Sequence, residues 1–461
     1  MEQQLKLTFY GGTGTVTGAN FLVEVAGETP VRFLIDCGLF QGNKSDDARN
    51  FESFPYDPAT IDALIITHAH LDHIGRVPRL VKEGFQGPIY STGATKEIAA
   101  LSLDDTVSLL SRHHNDANNQ DEAEPLYTLE DVAQALSQWQ IVDYHQPFTL
   151  GPLDIVFRDA GHILGSALVE CTRGNKKLVF TGDLGNSPSP LLKDTEAIKD
   201  ATYLVMESVY GDRDHEDRSR RAEQFEDVIE DTLRRDGTLL IPVFSIERAQ
   251  EIMFEIEQMM EASRIPLVPV FIDSPLAIRV TDVYKKYRHY LNNQVKEGGP
   301  ARDGIFRFPQ LHLTLSTEES KAILRANPRK IILAGSGMST GGRILHHEKN
   351  YLSDSRNTLL LVGYQGVGTF GRILQDGAKI VRILGEEVTV SARIASIFGY
   401  SGHKDGSGLL NFVRGTGDTV KKVFVVMGEP KSALFLVQRI RDYLGIEAIA
   451  PAVGESVELE L

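Results

Sequence analysis

Thr67-His68-Ala69-His70-Leu71-Asp72-His73-Ile74-Gly75 sets three imidazoles and a carboxylate within six residues, directly behind the apolar run Ala63-Leu64-Ile65-Ile66. Burying such a cluster without a partner is costly, and neutral imidazole with carboxylate is the donor set that a borderline-soft divalent cation prefers. The stretch therefore reads as a metal site. Donors packed this closely at a strand end cannot all reach one ion at ~2.0–2.2 Å with good angles, so two ions are more natural than one. His68 and His70, two apart in an extended loop, point the same way and suit a first cation. Asp72 and His73, where the chain turns into the helix-like run 74–81, suit a second. A histidine-rich surface loop is the plainer account, but the H-x-H-x-D-H order is uncommon in ordinary loops.

The elements that must position these groups show a regularity. Apolar, strand-like runs end at or just before Asp36, His68, His162, Asp183 and Glu207. Polar, ligand-type residues just past buried strands are where α/β folds build their active sites, so one cleft fed by many strand ends is the economical picture. Residues 95–110 and a capped start at Thr128 read as helices. His113 and His114 fall in a polar linker and read as solvated rather than as ligands.

From about Gly211 strands near 238–244, 267–273, 330–333 and 358–362 alternate with helices near 246–262 and 278–291, as in a parallel sheet. Gly366 to Gly371 matches G-x-G-x-x-G after a strand, yet too few residues follow for the helix that a dinucleotide site needs. The loop 335–342 lacks a nucleotide-loop lysine. Its Ser336 can sit in a nest of backbone N–H groups that holds a phosphate, with Arg343 nearby; a simple tight turn is the competing account. The strand pattern returns after Val388 and ends in Tyr400-Ser401-Gly402-His403. Residues 432–444 form an amphipathic helix whose stripe suits core packing, a homodimer face being the alternative.

Length and composition bound the rest. A chain of 461 residues implies about two to three domains, and its 42% hydrophobic and 24% charged content is that of a soluble globular protein. No apolar run approaches ~18 residues and the first residues lack a signal-peptide core, so a cytoplasmic protein without a membrane partner is expected. Two cysteines, Cys37 and Cys171, exclude a disulfide framework and a cysteine-based zinc ribbon. The net charge of -15 argues against a protein that coats itself in nucleic acid. A dimetal centre would still supply positive charge where one phosphate must bind.

With these residues in place the chain resembles the metallo-β-lactamase superfamily and, within it, the β-CASP nucleases. It looks most like bacterial relatives of the cleavage and polyadenylation specificity factor endonuclease. The resemblance rests on Asp36, the His68-Ala69-His70-Leu71-Asp72-His73 cluster, His162 in Gly161-His162-Ile163-Leu164-Gly165-Ser166, and Asp183 in Thr181-Gly182-Asp183. Glu207 in Glu207-Ser208-Val209-Tyr210-Gly211-Asp212-Arg213 and His403 in Ser401-Gly402-His403 single out the β-CASP branch.

It implies an α/β fold: an αββα sandwich over residues 1–208 and 396–461, interrupted by an inserted α/β domain, 209–395, with a mostly parallel sheet. It further implies two zinc ions, one held by His68, His70 and His162, the other by Asp72 and His73, with Asp183 between them. Asp36 would orient a ligand histidine from behind, Ser401 would meet a substrate phosphate, and Glu207 and His403 would serve catalysis together with Asp183.

The implied function is a zinc-dependent ribonuclease that hydrolyses phosphodiester bonds of single-stranded RNA by metal-hydroxide attack, as an endonuclease with 5′–3′ exonuclease action as an additional mode. One departure stands out. Where RNA-processing members carry a histidine ligand for the second metal, this chain has Met427, whose thioether is a poor zinc ligand beside imidazole, so the second site should be weaker. Two alternatives follow: an RNA-binding protein with little or no nuclease activity, or a small-molecule metallohydrolase, since one fold hosts many chemistries.

Overall fold

The computed structural model describes residues 4–42, 44–116, 125–215, 218–293, 295, 304–366 and 368–461. They fall into two compact units, Met1–Asp214 with His403–Leu461, and His215–Gly402. No helix among the described residues is long and apolar enough to cross a membrane.

The first unit contains two mixed seven-stranded sheets. One runs Ser456–Glu460, Gln4–Phe9, Phe21–Val25, Val31–Ile35, Ala63–Ile65, Ile89–Ser91, Trp139–Ile141. It is antiparallel as far as Val31–Ile35 and parallel beyond. The other runs Glu447–Ile449, Lys422–Val425, Tyr203–Met206, Lys176–Phe180, Ala167–Arg173, Leu153–Asp159, Phe148–Leu150, its first four strands parallel.

Period-two alternation drives the packing. Leu5, Leu7 and Phe9 of one sheet and Ile155, Phe157, Val169 and Phe180 of the other belong to a single buried cluster, so the sheets share a core. The Phe9 ring meets Phe21 and Phe424 at 6.0 and 5.4 Å. A second cluster joins the alternate residues Leu168, Val179, Leu204 and Val423 to Leu409 of helix Gly406–Gly415 and to Leu436 and Ile440 of helix Pro430–Leu444. The apolar stripe of that last helix is thus core, while Leu434, Phe435 and Tyr443 on its other side are exposed.

The second unit holds an all-parallel six-stranded sheet in the order Leu311–Leu313, Val270–Asp273, Lys330–Gly335, Thr238–Val243, Thr358–Val362, Arg393–Ile397. Its four inner strands are buried along nearly their whole length, as expected when helices cover both faces, whereas the edge strands Leu311–Leu313 and Arg393–Ile397 are partly exposed. Leu240, Ile332, Leu359 and Leu361 pack with Ile344 and Leu352 of the helical segment after Lys330–Gly335.

Several elements differ from the sequence expectation. The helix expected over 95–110 runs Gly93–Asp116, so His113 and His114 lie on helical backbone; residues 117–124 of the supposed linker are outside the described residues. Ser456–Glu460 is a strand that pairs with Gln4–Phe9, and Glu386–Thr389 is one that pairs in a hairpin with Ile380–Ile383, where a strand is expected. Both are short, and single alternating runs of this length are weak signals.

Candidate metal centre

Each candidate donor is delivered by a strand end or a tight turn. Asp36 follows Val31–Ile35 in the left-handed region (φ 58°), its N–H donating to the Ile65 carbonyl. His68 lies just beyond Ala63–Ile65, and His70 caps the turn of helix Leu71–Ile74 that carries Asp72 and His73. Gly38 is needed beside that turn: a Cβ there would stand 1.6 Å from the Asp72 carbonyl oxygen. His162 lies between Leu153–Asp159 and Ala167–Arg173, its N–H donating to Ser166 Oγ at 3.0 Å. Asp183 follows Lys176–Phe180 through Gly182, whose positive φ (50°) suits glycine. Glu207 directly follows Tyr203–Met206.

Among the described residues the donor atoms form three groups that share Asp183: two with the expected metal ligands and a third with Glu207 and His403. In the first, His68 Nε2 is 3.1 Å from His70 Nδ1 and 3.4 Å from Asp183 Oδ2, while His162 Nε2 is 3.2 Å from His70 Nδ1 and 3.5 Å from Asp183 Oδ2. In the second, His73 Nε2 lies 3.6 Å from Asp72 Oδ2 and 3.4 Å from Asp183 Oδ1. Four donors set tetrahedrally around zinc on ~2.0–2.1 Å arms would be ~3.3 Å apart, so the first group has the spacing of a closed four-donor shell.

Orphaned atoms support the same fit. His73 Nε2 and Asp183 Oδ1 are buried and, among the described residues, neither makes a hydrogen bond. Buried polar atoms are rarely left so, and two facing atoms of donor type are what a cation would satisfy. Burial holds His70 and His162 well below the ordinary histidine value, so both rings are neutral and offer lone pairs. Burial also works to lower His73, but Asp183, Asp36 and Asp72 together raise it well above that value. Asp183 is opposed by burial, yet the His73 and His68 imidazoles hold it well below the usual carboxylate range.

Behind the second group Asp36 accepts from three donors. Its Oδ2 lies 2.7 Å from His73 Nδ1 and 2.8 Å from Thr67 Oγ1, and its Oδ1 takes the Thr67 N–H at 2.8 Å. A carboxylate can only accept, so the His73 proton sits on Nδ1 and Nε2 faces Asp72 and Asp183. Thr67, whose Oγ1 is also 3.1 Å from His68 Nδ1, was not singled out by its sequence context. Its only signal was its place next to the histidine cluster.

His403 and Glu207, 196 positions apart, meet beside Asp183: His403 Nδ1 is 3.2 Å from both Glu207 oxygens and 4.0 Å from Asp183 Oδ2. The fully buried Glu207 also takes the Leu184 N–H. Burial alone would lower His403, but the Glu207 carboxylate outweighs it and lifts the imidazole to about 9. Gly185 bridges His403, and Lys404 N–H donates to the Leu184 carbonyl, which anchors this pair on the loop that carries Asp183.

The remaining candidates are Met427, Ser401 and Ser336. Met427 is buried in the core shared by the sheets with a left-handed backbone (φ 46°), its sulfur against Gly12, where a Cβ would be 2.5 Å from Sδ. It lines one cavity with His73, Asp36, Thr67 and Gly182.

In the second unit, Ser401 is buried at the end of the 3-10 turn Phe398–Tyr400. Ser336 (φ 90°) accepts the Thr340 N–H in its own loop. Arg343 is not available to that loop as expected. Its guanidinium donates to Asp273 Oδ1 at 2.7 Å and to the Thr314 and Leu315 carbonyls, because the buried Asp273 demands a cationic partner.

Comparison with known proteins places these groups in context. Residues 21–223 match the model of the metallo-beta-lactamase superfamily, residues 249–374 the Beta-Casp domain, and residues 387–451 the Zn-dependent metallo-hydrolase RNA specificity domain. Ribonuclease TTHA0252 of Thermus thermophilus is 38% identical over 453 residues, which cover 98% of this chain and 100% of the relative. Transcription termination factor FttA of Pyrococcus abyssi is 32% identical over 99% of this chain and 71% of its own length, and that of Methanothermobacter thermautotrophicus 33% identical over 93% and 68%. A crystal structure of a protein of unknown function from Enterococcus faecalis shares the fold with TM-score 0.58 at 13% identity, covering 99% of this chain and 100% of the other.

Proposed function

The chain belongs to the metallo-β-lactamase superfamily, in its Beta-Casp branch, and from that premise we propose that it is a zinc-dependent ribonuclease acting on single-stranded RNA. It is a metal-dependent hydrolase. The observation that carries the proposal is Asp183, whose two oxygens each face a separate group of buried donors, with Oδ1 and His73 Nε2 left without hydrogen bonds.

His68, His70, His162 and Asp183 would hold one cation, and Asp72, His73 and Asp183 the other. Bound there, zinc ions supply Lewis acidity toward a phosphate oxygen and a water made acidic enough to act as nucleophile near neutral pH. The chain's own residues do the rest. Asp36 fixes the His73 tautomer. Glu207 holds His403 at Nδ1 and keeps the ring protonated, so its Nε2 delivers the proton to the departing oxygen, a contribution of about 10²–10⁴-fold. Ser401 and Ser336 are assigned to substrate phosphates.

The second donor group offers three protein atoms where the first offers four, and no imidazole at position 427, which supports a weaker second site. That count also favours a second reading, an RNA-binding protein with little nuclease activity. We read the first unit, Met1–Asp214 with His403–Leu461, as an αββα sandwich, a reading supported by the shared core of its sheets. Its second part begins later than the expected bounds (1–208 and 396–461, insert 209–395) because Arg393–Ile397 pairs within the parallel sheet of the second unit. The free, buried cysteines suit a cytoplasmic protein.

Incubating the purified protein with labelled single-stranded RNA, with and without chelator, tests the proposal. Cleavage that chelator abolishes and zinc restores, leaving 5′-phosphate ends, is expected. No cleavage at any zinc occupancy, with RNA still bound, would leave the second reading standing instead.

A further inference from the structure

The second unit carries a feature that the metal centre does not use. Among its described residues the exposed large aromatic side chains are Phe244 (47% exposed), Tyr364 (43%) and Phe398 (41%), and all three lie just past the carboxyl ends of strands of the parallel sheet. Those strands, Thr238–Val243, Thr358–Val362 and Arg393–Ile397, are consecutive neighbours.

Leu240 pairs with Leu359, and three residues on Val362 pairs with Ile397, so Val243, Val362 and Ile397 stand level. Phe244, Tyr364 and Phe398 follow within one or two residues, one aromatic residue per strand end on strands ~4.8 Å apart. Among the described residues none of the three rings stacks on another aromatic ring or on a cation. The row is flanked by polar groups. Ser245 and Ser274 Oγ lie 3.0 Å apart beside Gly335 at the end of the next strand. Gly337 lies directly against the Phe244 ring, where a Cβ would come within 2.7 Å of it.

Ligands of open α/β sheets bind outside the carboxyl ends of the strands, where neighbouring connections diverge. The connection from Thr238–Val243 leads to Val270–Asp273 on one side, and that from its neighbour Thr358–Val362 leads to Arg393–Ile397 on the other, so the connections diverge between these two strands. Single-stranded RNA is held by aromatic side chains on which successive bases stack, presented by a sheet or along a groove that follows the sugar–phosphate chain.

We infer that Phe244, Tyr364 and Phe398 form a stacking platform for successive bases of a single-stranded RNA, with the sugar–phosphate chain passing over the Ser245, Ser274 and Gly337 side. A protein partner would want a continuous apolar patch. Here the rings are separate, and the residues between them and the next strand are serine and glycine. The inference rests on the RNA substrate of the preceding section and adds where its bases lie.

Stopped-flow anisotropy, read before turnover, tests it with a labelled single-stranded RNA and a matched strand whose central nucleotides lack bases. Phe244→Ala and Tyr364→Ala each weaken binding of the base-bearing strand by about fivefold or more, the lower end of base–aromatic stacking. Phe244→Leu does the same because it keeps apolar area but no ring, Tyr364→Phe retains wild-type affinity, and all bind the abasic strand as the wild type does. Unchanged affinity of the alanine variants, retention by Phe244→Leu, or equal losses on both strands would overturn the platform. Far-UV circular dichroism admits only folded variants. Wild-type cleavage of the same RNA is scored separately, so a protein that stacks RNA but does not cut it refutes the nuclease reading and leaves the platform intact.

Discussion

Replacing Asp36 with Asn changes one oxygen to an amide nitrogen and should disarm one cation position without emptying the other. Asp36 serves three donors: Thr67 N–H at Oδ1, and Thr67 Oγ1 and His73 Nδ1 at Oδ2. An asparagine oxygen turned toward Thr67 N–H sets the amide NH₂ against the His73 Nδ1 proton. The ring must then move its proton to Nε2, the atom that faces Asp72 and Asp183. Turned the other way, the amide opposes a buried backbone N–H, at about 1–3 kcal/mol.

Either way the second donor group loses a lone pair or its geometry. Changes to groups that hold a ligand histidine typically cost 10–100-fold in metal affinity, about 1.4–2.7 kcal/mol. Among the described residues Asp36 bonds directly to His73 and Thr67 and to none of the first group's histidines, so that position should load as before. Zinc titration followed by elemental analysis measures both affinities. The expected result is one tight equivalent retained, a second weakened by 10–100-fold, and RNA turnover reduced in step. Two equivalents at wild-type affinity, or parallel loss of both, would refute the reasoning.

Two further outcomes follow from the geometry. His403→Ala should lower RNA turnover by about 10²–10⁴-fold with zinc content unchanged, and elemental analysis showing lost zinc would instead make His403 a ligand. Glu348, fully buried in helix Ile344–Tyr351 with one oxygen on the Ser339 hydroxyl and the other without a hydrogen bond, is pushed up to about 8 by burial. Its folded value lies above the unfolded one, so the carboxyl is harmless below pH ~4.5, and stability declines as pH rises, levelling off above about 8. Glu348→Gln should therefore stabilise the second unit by about 3 kcal/mol at pH 7 and by almost nothing at pH 4, measured by urea unfolding; equal midpoints at pH 7 would contradict it.

The histidines and carboxylates that converge on Asp183 were legible because each is polar at the end of an apolar run, a local signal. Parallel strands such as Thr358–Val362 were legible for the same reason. What was hidden depends on distant partners. Thr67 matters through Asp36, 31 residues away, and Arg343 is captured by Asp273, 70 residues away, so neither role could be seen in its own neighbourhood. His113 and His114 lie on helical backbone although the polar residues after them read as a linker. The row of Phe244, Tyr364 and Phe398 exists only once strand order and register are known.

The pairing of Glu207 with His403 bears on how the protein matures. Closing a floppy loop of about 196 residues costs roughly 4.7 kcal/mol, more than the ~1.5–3 kcal/mol that one charged hydrogen-bonded pair returns. The pair can close only after the intervening chain has become compact. The six donors from His68 to Asp183 all precede that chain. Under the proposed roles, synthesis therefore delivers every metal donor before His403, and the proton donor is the last of these groups to reach its place.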